Sequence, residues 1–155
     1  MAGSAEVALE RLKADERLDI SSQLQAARLA YFKALDTHED LDRAKFTYAW
    51  CLIHQKSRDE MKMGASLLWE LTGNKELRRD SLFYIATVQF RMEQYLDARK
   101  TLEKLLAADP DNRQAQDLKA AVEKVLRHDG AVGLALLSGA AVAVFAVGAA
   151  LIKRR

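Results

Sequence analysis

The chain has 155 residues, 50% of them hydrophobic and 30% charged, with a formal net charge of +2. Lys153, Arg154 and Arg155 outweigh that excess: residues 131–152 carry no charge, and residues 1–130 sum to −1. A near-neutral, mixed-charge stretch excludes the basic footprint of a nucleic-acid binder, and the single cysteine, Cys51, excludes an internal disulfide and fits a reducing compartment.

Glu6, Glu10, Asp15, Glu16 and Asp19 make the first segment acidic, unlike an Arg-rich transit peptide. Residues 1–19 therefore read as an N-terminal arm with room to be flexible. The first helix is predicted over 20–35, where Ile20, Leu24, Ala27, Tyr31 and Leu35 recur at spacings of four, three, four and four. A second follows over 41–54. Ser57-Arg58-Asp59-Glu60 has the capping-box pattern and starts a third, which Gly73-Asn74 ends. A fourth runs to about residue 92 and a fifth over 94–108. Asp109-Pro110-Asp111-Asn112 stops that helix, and a sixth is predicted over 113–128.

The fourth and fifth helices carry a repeat. Residues 79–112 match the spacing of the 34-residue tetratricopeptide unit without a gap. Leu82, Ile85 and Ala86 take its first-helix packing positions, Tyr95, Ala98, Leu102 and Leu105 those of the second helix, and Pro110 its terminal proline. Small side chains at Ala86 and Ala98 let two antiparallel helices approach closely. A degenerate copy lies at 42–73, with Tyr48-Ala49 in place of Ile85-Ala86 and Gly64 in place of Ala98. Two repeats leave apolar ends exposed, so 20–35 and 113–128 are read as capping helices. The predicted fold is all-α: a six-helix bundle of two tetratricopeptide-like hairpins between caps.

In such repeats the first helices line a concave surface. The groove-facing positions are Phe46, Trp50 and Ile53, then Phe83, Thr87 and Phe90, each set at i, i+4, i+7, with Arg91 beside them. Two readings stay open. The aromatics form a groove for an extended or helical peptide, or they are covered by the first helix or by residues 1–19; a displaceable lid reconciles the two. Phe46, Trp50 and Phe83 stand where chaperone-binding repeats place Lys, Arg and Asn, which argues against a carboxylate clamp. His38, His54 and His128 are dispersed, and no nucleophile elbow, phosphate-binding loop or zincin motif appears. The chain reads as a non-enzyme with no cofactor or metal.

Residues 131–152 are apolar or small throughout and followed by Lys153, Arg154 and Arg155. A helix of that length rises about 33 Å at ~1.5 Å per residue, enough to cross a hydrocarbon core of about 30 Å. The expectation is a tail-anchored protein whose N-terminal domain faces the cytosol. Ala131, Ala135, Gly139 and Ala143 form a small-residue face that permits a homo-oligomer in the membrane, although an Ala- and Gly-rich composition is the simpler account. Moderate hydrophobicity with a short basic tail fits the outer mitochondrial membrane.

Phe46-Thr47-Tyr48-Ala49-Trp50-Cys51-Leu52 resembles the signature of the mitochondrial fission 1 protein family. Arg79-Asp80 with Phe83-Tyr84-Ile85-Ala86, Asp109-Pro110-Asp111-Asn112 with Gln114-Ala115, and Asp129-Gly130-Ala131-Val132-Gly133 resemble it too, in the same order and spacing. The similarity covers roughly residues 40–155. It implies a two-repeat cytosolic domain on mitochondria, and often on peroxisomes, acting as an adaptor. The implied partners are a dynamin-type fission GTPase and its adaptors, and an N-terminal arm can lie over the groove in that family. The competing readings are an import or chaperone receptor for targeting peptides and a membrane-active helical bundle.

Overall fold

The computed structural model describes residues 3–15 and 19–130. Among these residues there are seven helices and no strand: α1 (Ser4–Asp15), α2 (Ser21–Thr37), α3 (Leu41–Ile53), α4 (Arg58–Leu71), α5 (Arg78–Arg91), α6 (Tyr95–Ala108) and α7 (113–130). No described helix is long and apolar enough to cross a membrane. The expected span at 131–152 and the basic residues Lys153, Arg154 and Arg155 lie outside the described residues.

Short polar side chains set the helix starts. The Ser57 hydroxyl accepts the Glu60 amide at 3.4 Å and opens α4, as its capping box predicts. Before α5 the Asn74 side-chain oxygen accepts the amides of Glu76 (2.9 Å) and Leu77 (3.3 Å), while its amide donates to Asp42 (2.8 Å) and so ties that loop to α3. Asn112 repeats the device for α7, accepting the Ala115 amide at 3.0 Å just after Pro110 has interrupted the chain.

The helices stack as consecutive hairpins, α3 with α4 and α5 with α6, with α2 on α3 and α7 against the second hairpin. Ala49, Ile53, Met61, Leu68, Ile85 and Val88 join the two hairpins in one cluster. Ile20, Ala27, Tyr48, Cys51 and Leu52 seat α2 on α3, where Tyr31 stacks on Tyr48 at 5.3 Å. Leu82, Ala86, Ala98, Leu102 and Leu105 meet Ala115, Leu118 and Val122 of α7. Full burial of each such Leu contributes about 1.5–3 kcal/mol. Gly64 shows why its position is small: a Cβ there would lie 2.8 Å from the Ala49 carbonyl oxygen and 2.6 Å from Ile53 Cγ2.

Two differences from the sequence reading have physical causes. The described residues form seven helices, not six, because the N-terminal arm contains α1. Ala5, Ala8, Leu9 and Leu12 give it a short apolar stripe, and Ala8 and Leu12 are buried. Leu35, read as the end of the α2 stripe, is 37% exposed; Ala27, with Leu24 and Tyr31, carries the contact with α3, and Ala34 is buried in place of Leu35.

Candidate partner-binding groove

The concave side of the hairpins is lined by α3 and α5. Phe46 and Tyr84 meet edge to face at 6.0 Å, Phe83 and Tyr84 at 5.5 Å, and Tyr84 reaches the His54 ring at 6.3 Å. Tyr84 thus joins the two repeats into one aromatic surface. It was missed because it sits one residue off the i, i+4, i+7 stripe; the adjacent aromatic pair Phe83-Tyr84 was the available signal. A cavity of about 530 Å³ opens on this surface between Phe46, Phe83, Tyr84 and the polar rim of Arg79, Asp80 and Asn112.

The other half of the concave surface is occupied. Leu12 of α1 is buried in the cluster of Leu82, Ala86, Leu118 and Val122, with Phe83, Phe90 and Tyr95 packed against it. A smaller space of about 200 Å³ remains between Ala8, Leu12, Phe83, Tyr84, Thr87 and Leu118. Ion pairs hold α1 antiparallel to α7: Glu6 with Lys124 at 2.5 Å and Arg11 with Asp117 at 3.7 Å. The Lys124 hydrogen bond draws the Glu6 carboxyl below its ordinary value.

The sequence-predicted groove residues therefore divide. Phe46 and Phe83 are half-buried at the open surface, and Phe90 is half-buried beside Tyr95 at 5.3 Å. Trp50 packs toward α2 and lies 4.2 Å from the His54 ring, whose Nδ1 is 2.7 Å from the Trp50 carbonyl oxygen. Ile53 does not face the groove; it is 1% exposed and belongs to the inter-hairpin core. Thr87 is buried facing α1, and its hydroxyl donates to the Phe83 carbonyl at 3.0 Å. Arg91 donates to the carbonyls of Ile53 and Gln55, so it fastens α5 to the C-terminal end of α3. Of the residues read as packing positions, Tyr48, Ala49, Gly64, Leu82, Ile85, Ala86, Ala98 and Leu102 are buried, Tyr95 is half-buried, and Pro110 is exposed in the turn before α7.

Burial pushes the Cys51 thiol up, which makes it a poor nucleophile. Among the described residues no group of three or more His, Cys, Asp or Glu side chains could hold a metal ion. Two stacked helical hairpins, a concave aromatic surface and terminal helices define a two-repeat tetratricopeptide-like domain.

Comparison with known proteins makes the class specific. Residues 43–74 match the Fis1 N-terminal tetratricopeptide repeat and residues 79–131 the Fis1 C-terminal tetratricopeptide repeat. The mitochondrial fission 1 protein of Mycosarcoma maydis is 35% identical over 144 residues, 92% of this chain and 94% of that one. That of Homo sapiens is 40% identical over 102 residues, 64% of this chain and 67% of its own. The fold resembles the crystal structure of Fis1 from Saccharomyces cerevisiae (TM-score 0.67, 21% identity, 79% of this chain and 95% of that chain). It also resembles yeast Fis1 crystallised with an Mdv1 fragment containing N-terminal extension and coiled-coil domains (TM-score 0.65, 22% identity, 77% and 94%). The chain belongs to the mitochondrial fission 1 protein family.

Proposed function

We propose that the chain is a tail-anchored, non-enzymatic adaptor of the outer mitochondrial membrane, with the peroxisomal membrane as a second address. It promotes organelle fission by recruiting or regulating a dynamin-type GTPase, directly or through further adaptors. The observation that carries this reading is the Phe46–Tyr84–Phe83 surface, open on one side and continuous on the other with the hydrophobic seat of Leu12. A partner segment docks its apolar side chains on the open half and extends into the remainder when α1 leaves. The structural neighbour that binds an Mdv1 fragment supports an adaptor of that kind as the direct partner. The uncharged stretch at 131–152 with its terminal Lys153, Arg154 and Arg155 supports the anchor, with the helical domain on the cytosolic side.

Proximity labelling in cells tests the reading, comparing the intact chain with Phe46→Ala plus Phe83→Ala. Loss of fission-machinery neighbours in the variant, at equal abundance and location, supports it. An unchanged neighbour set refutes the groove.

A further inference from the structure

An uncharged stretch as long as 131–152 exposes, in water, far more apolar surface than a stable monomer leaves open. Before it enters a bilayer it needs cover. The strip of the groove between α3 and α5, lined by Phe46, Phe83 and Tyr84, is apolar and open. It also begins where the chain leaves α7. The bonds from Arg91 to the Ile53 and Gln55 carbonyls set the C-terminal ends of α5 and α3 at one edge. Asp129 lies at that edge too: burial first, then the charges of Glu93 and Asp129, push the Tyr95 phenol up, and Tyr95 meets Phe90 at 5.3 Å. Among the described residues nothing lies within 4 Å of where a Gly130 Cβ would sit, so the chain has room to turn there. The apolar outer side of α2, by contrast, is at the far end of the stack.

We propose that residues 131–152, until they enter a bilayer, fold back at Asp129-Gly130 and cover this strip beside α1, so that insertion into the membrane opens the partner surface. The proposal concerns regulation of the site read above as partner-binding, and it rests on that reading and on the anchor. Direction and length both fit. α1 already lies antiparallel to α7 on the concave side, so the surface accepts a helix of that sense. At ~1.5 Å per residue a helix over 131–152 rises about 33 Å and α7 about 26 Å. A segment folded back along α7 therefore reaches the 109–112 turn that precedes it. Lys153, Arg154 and Arg155 then arrive at the rim of the larger cavity, where Asp80, Asp109 and Asp111 outnumber Arg79 and Arg113. The apolar stretch meets aromatics and the basic end meets carboxylates.

The test uses the full chain made without membranes, with Cys51→Ala to remove the native thiol. Gln114 lines the groove cavities, so Gln114→Cys is paired with Gly148→Cys. A short bismaleimide links these two within one chain about ten-fold more than it links Gly148→Cys to Ser66→Cys on the outer face of α4. The Gln114 link disappears from chains that have floated with lipid vesicles. Equal linking to Ser66→Cys, preferred linking to Leu29→Cys on α2, or a Gln114 link that persists on floated chains would each overturn the proposal. Leu136→Asp with Phe145→Asp abolishes the link in the membrane-free chain and opens the Gln114→Cys thiol to a water-soluble maleimide. A thiol equally open without the two aspartates also overturns it. Flotation reports the anchor and proximity labelling reports the partner, so a fold-back that fails leaves both of those readings standing.

Discussion

The Glu6 carboxylate meets the Lys124 ammonium at 2.5 Å across 118 residues of sequence, and this pair fixes the start of α1 to α7. Both side chains are about half exposed, so the contact positions α1 while Leu12 supplies most of its hold. An element held by two small buried contacts, Ala8 and Leu12, and two ion pairs at its surface can detach without unfolding the stack beneath it.

Acid should loosen α1 first. Glu6 has its folded pKa lowered from 4.5 by the Lys124 hydrogen bond. The stabilisation is therefore complete above the unfolded value and disappears as pH falls through the folded one. Hydrogen exchange should show α1 amides losing protection below about pH 4.5 while α3 and α5 remain protected. Raised salt at pH 7 should act in the same direction, since exposed pairs are screened.

Gly64 and Gly73 should respond oppositely to alanine. A Cβ at Gly64 meets the Ala49 carbonyl at 2.8 Å, whereas one at Gly73 meets nothing within 4 Å. Gly64→Ala should cost about 1–3 kcal/mol by forcing α3 and α4 apart, and Gly73→Ala should be neutral or slightly stabilising. Thermal melts of the two variants check this; equal melting temperatures would contradict the packing described.

Arg91→Ala should act on stability. Its guanidinium donates to the Ile53 and Gln55 carbonyls and joins the hairpins, so its loss should lower unfolding free energy by about 1–3 kcal/mol. Partner capture per folded molecule should stay unchanged. A binding defect in a variant with wild-type melting behaviour would return Arg91 to the groove.

Much of the fold was legible because it depends on spacing. Ala86 against Ala98, the capping box at Ser57 and the stop at Asp109-Pro110 are local signals, and the structure shows their physical basis. The groove was legible only in part. Ile53, Thr87 and Arg91 share a helical stripe with Phe46 and Phe83, but periodicity gives the angle of a side chain and not what packs over it. Two neighbours off that stripe decided the outcome: α5 buries Ile53 and α1 covers Thr87. α1 itself is stabilised by α5 and α7, far away in sequence, so its short apolar stripe gave too little warning.

The most direct measurement is partner capture by the full chain with and without Leu12→Asp. Placing a carboxylate among Leu82, Leu118 and Val122 releases α1, at a cost of about 2 kcal/mol if α1 alone detaches. The account predicts more partner bound by Leu12→Asp than by the native chain, and a return to background when Phe46→Ala and Phe83→Ala are added. Capture that is unchanged by Leu12→Asp, or that survives loss of both aromatics, would contradict it.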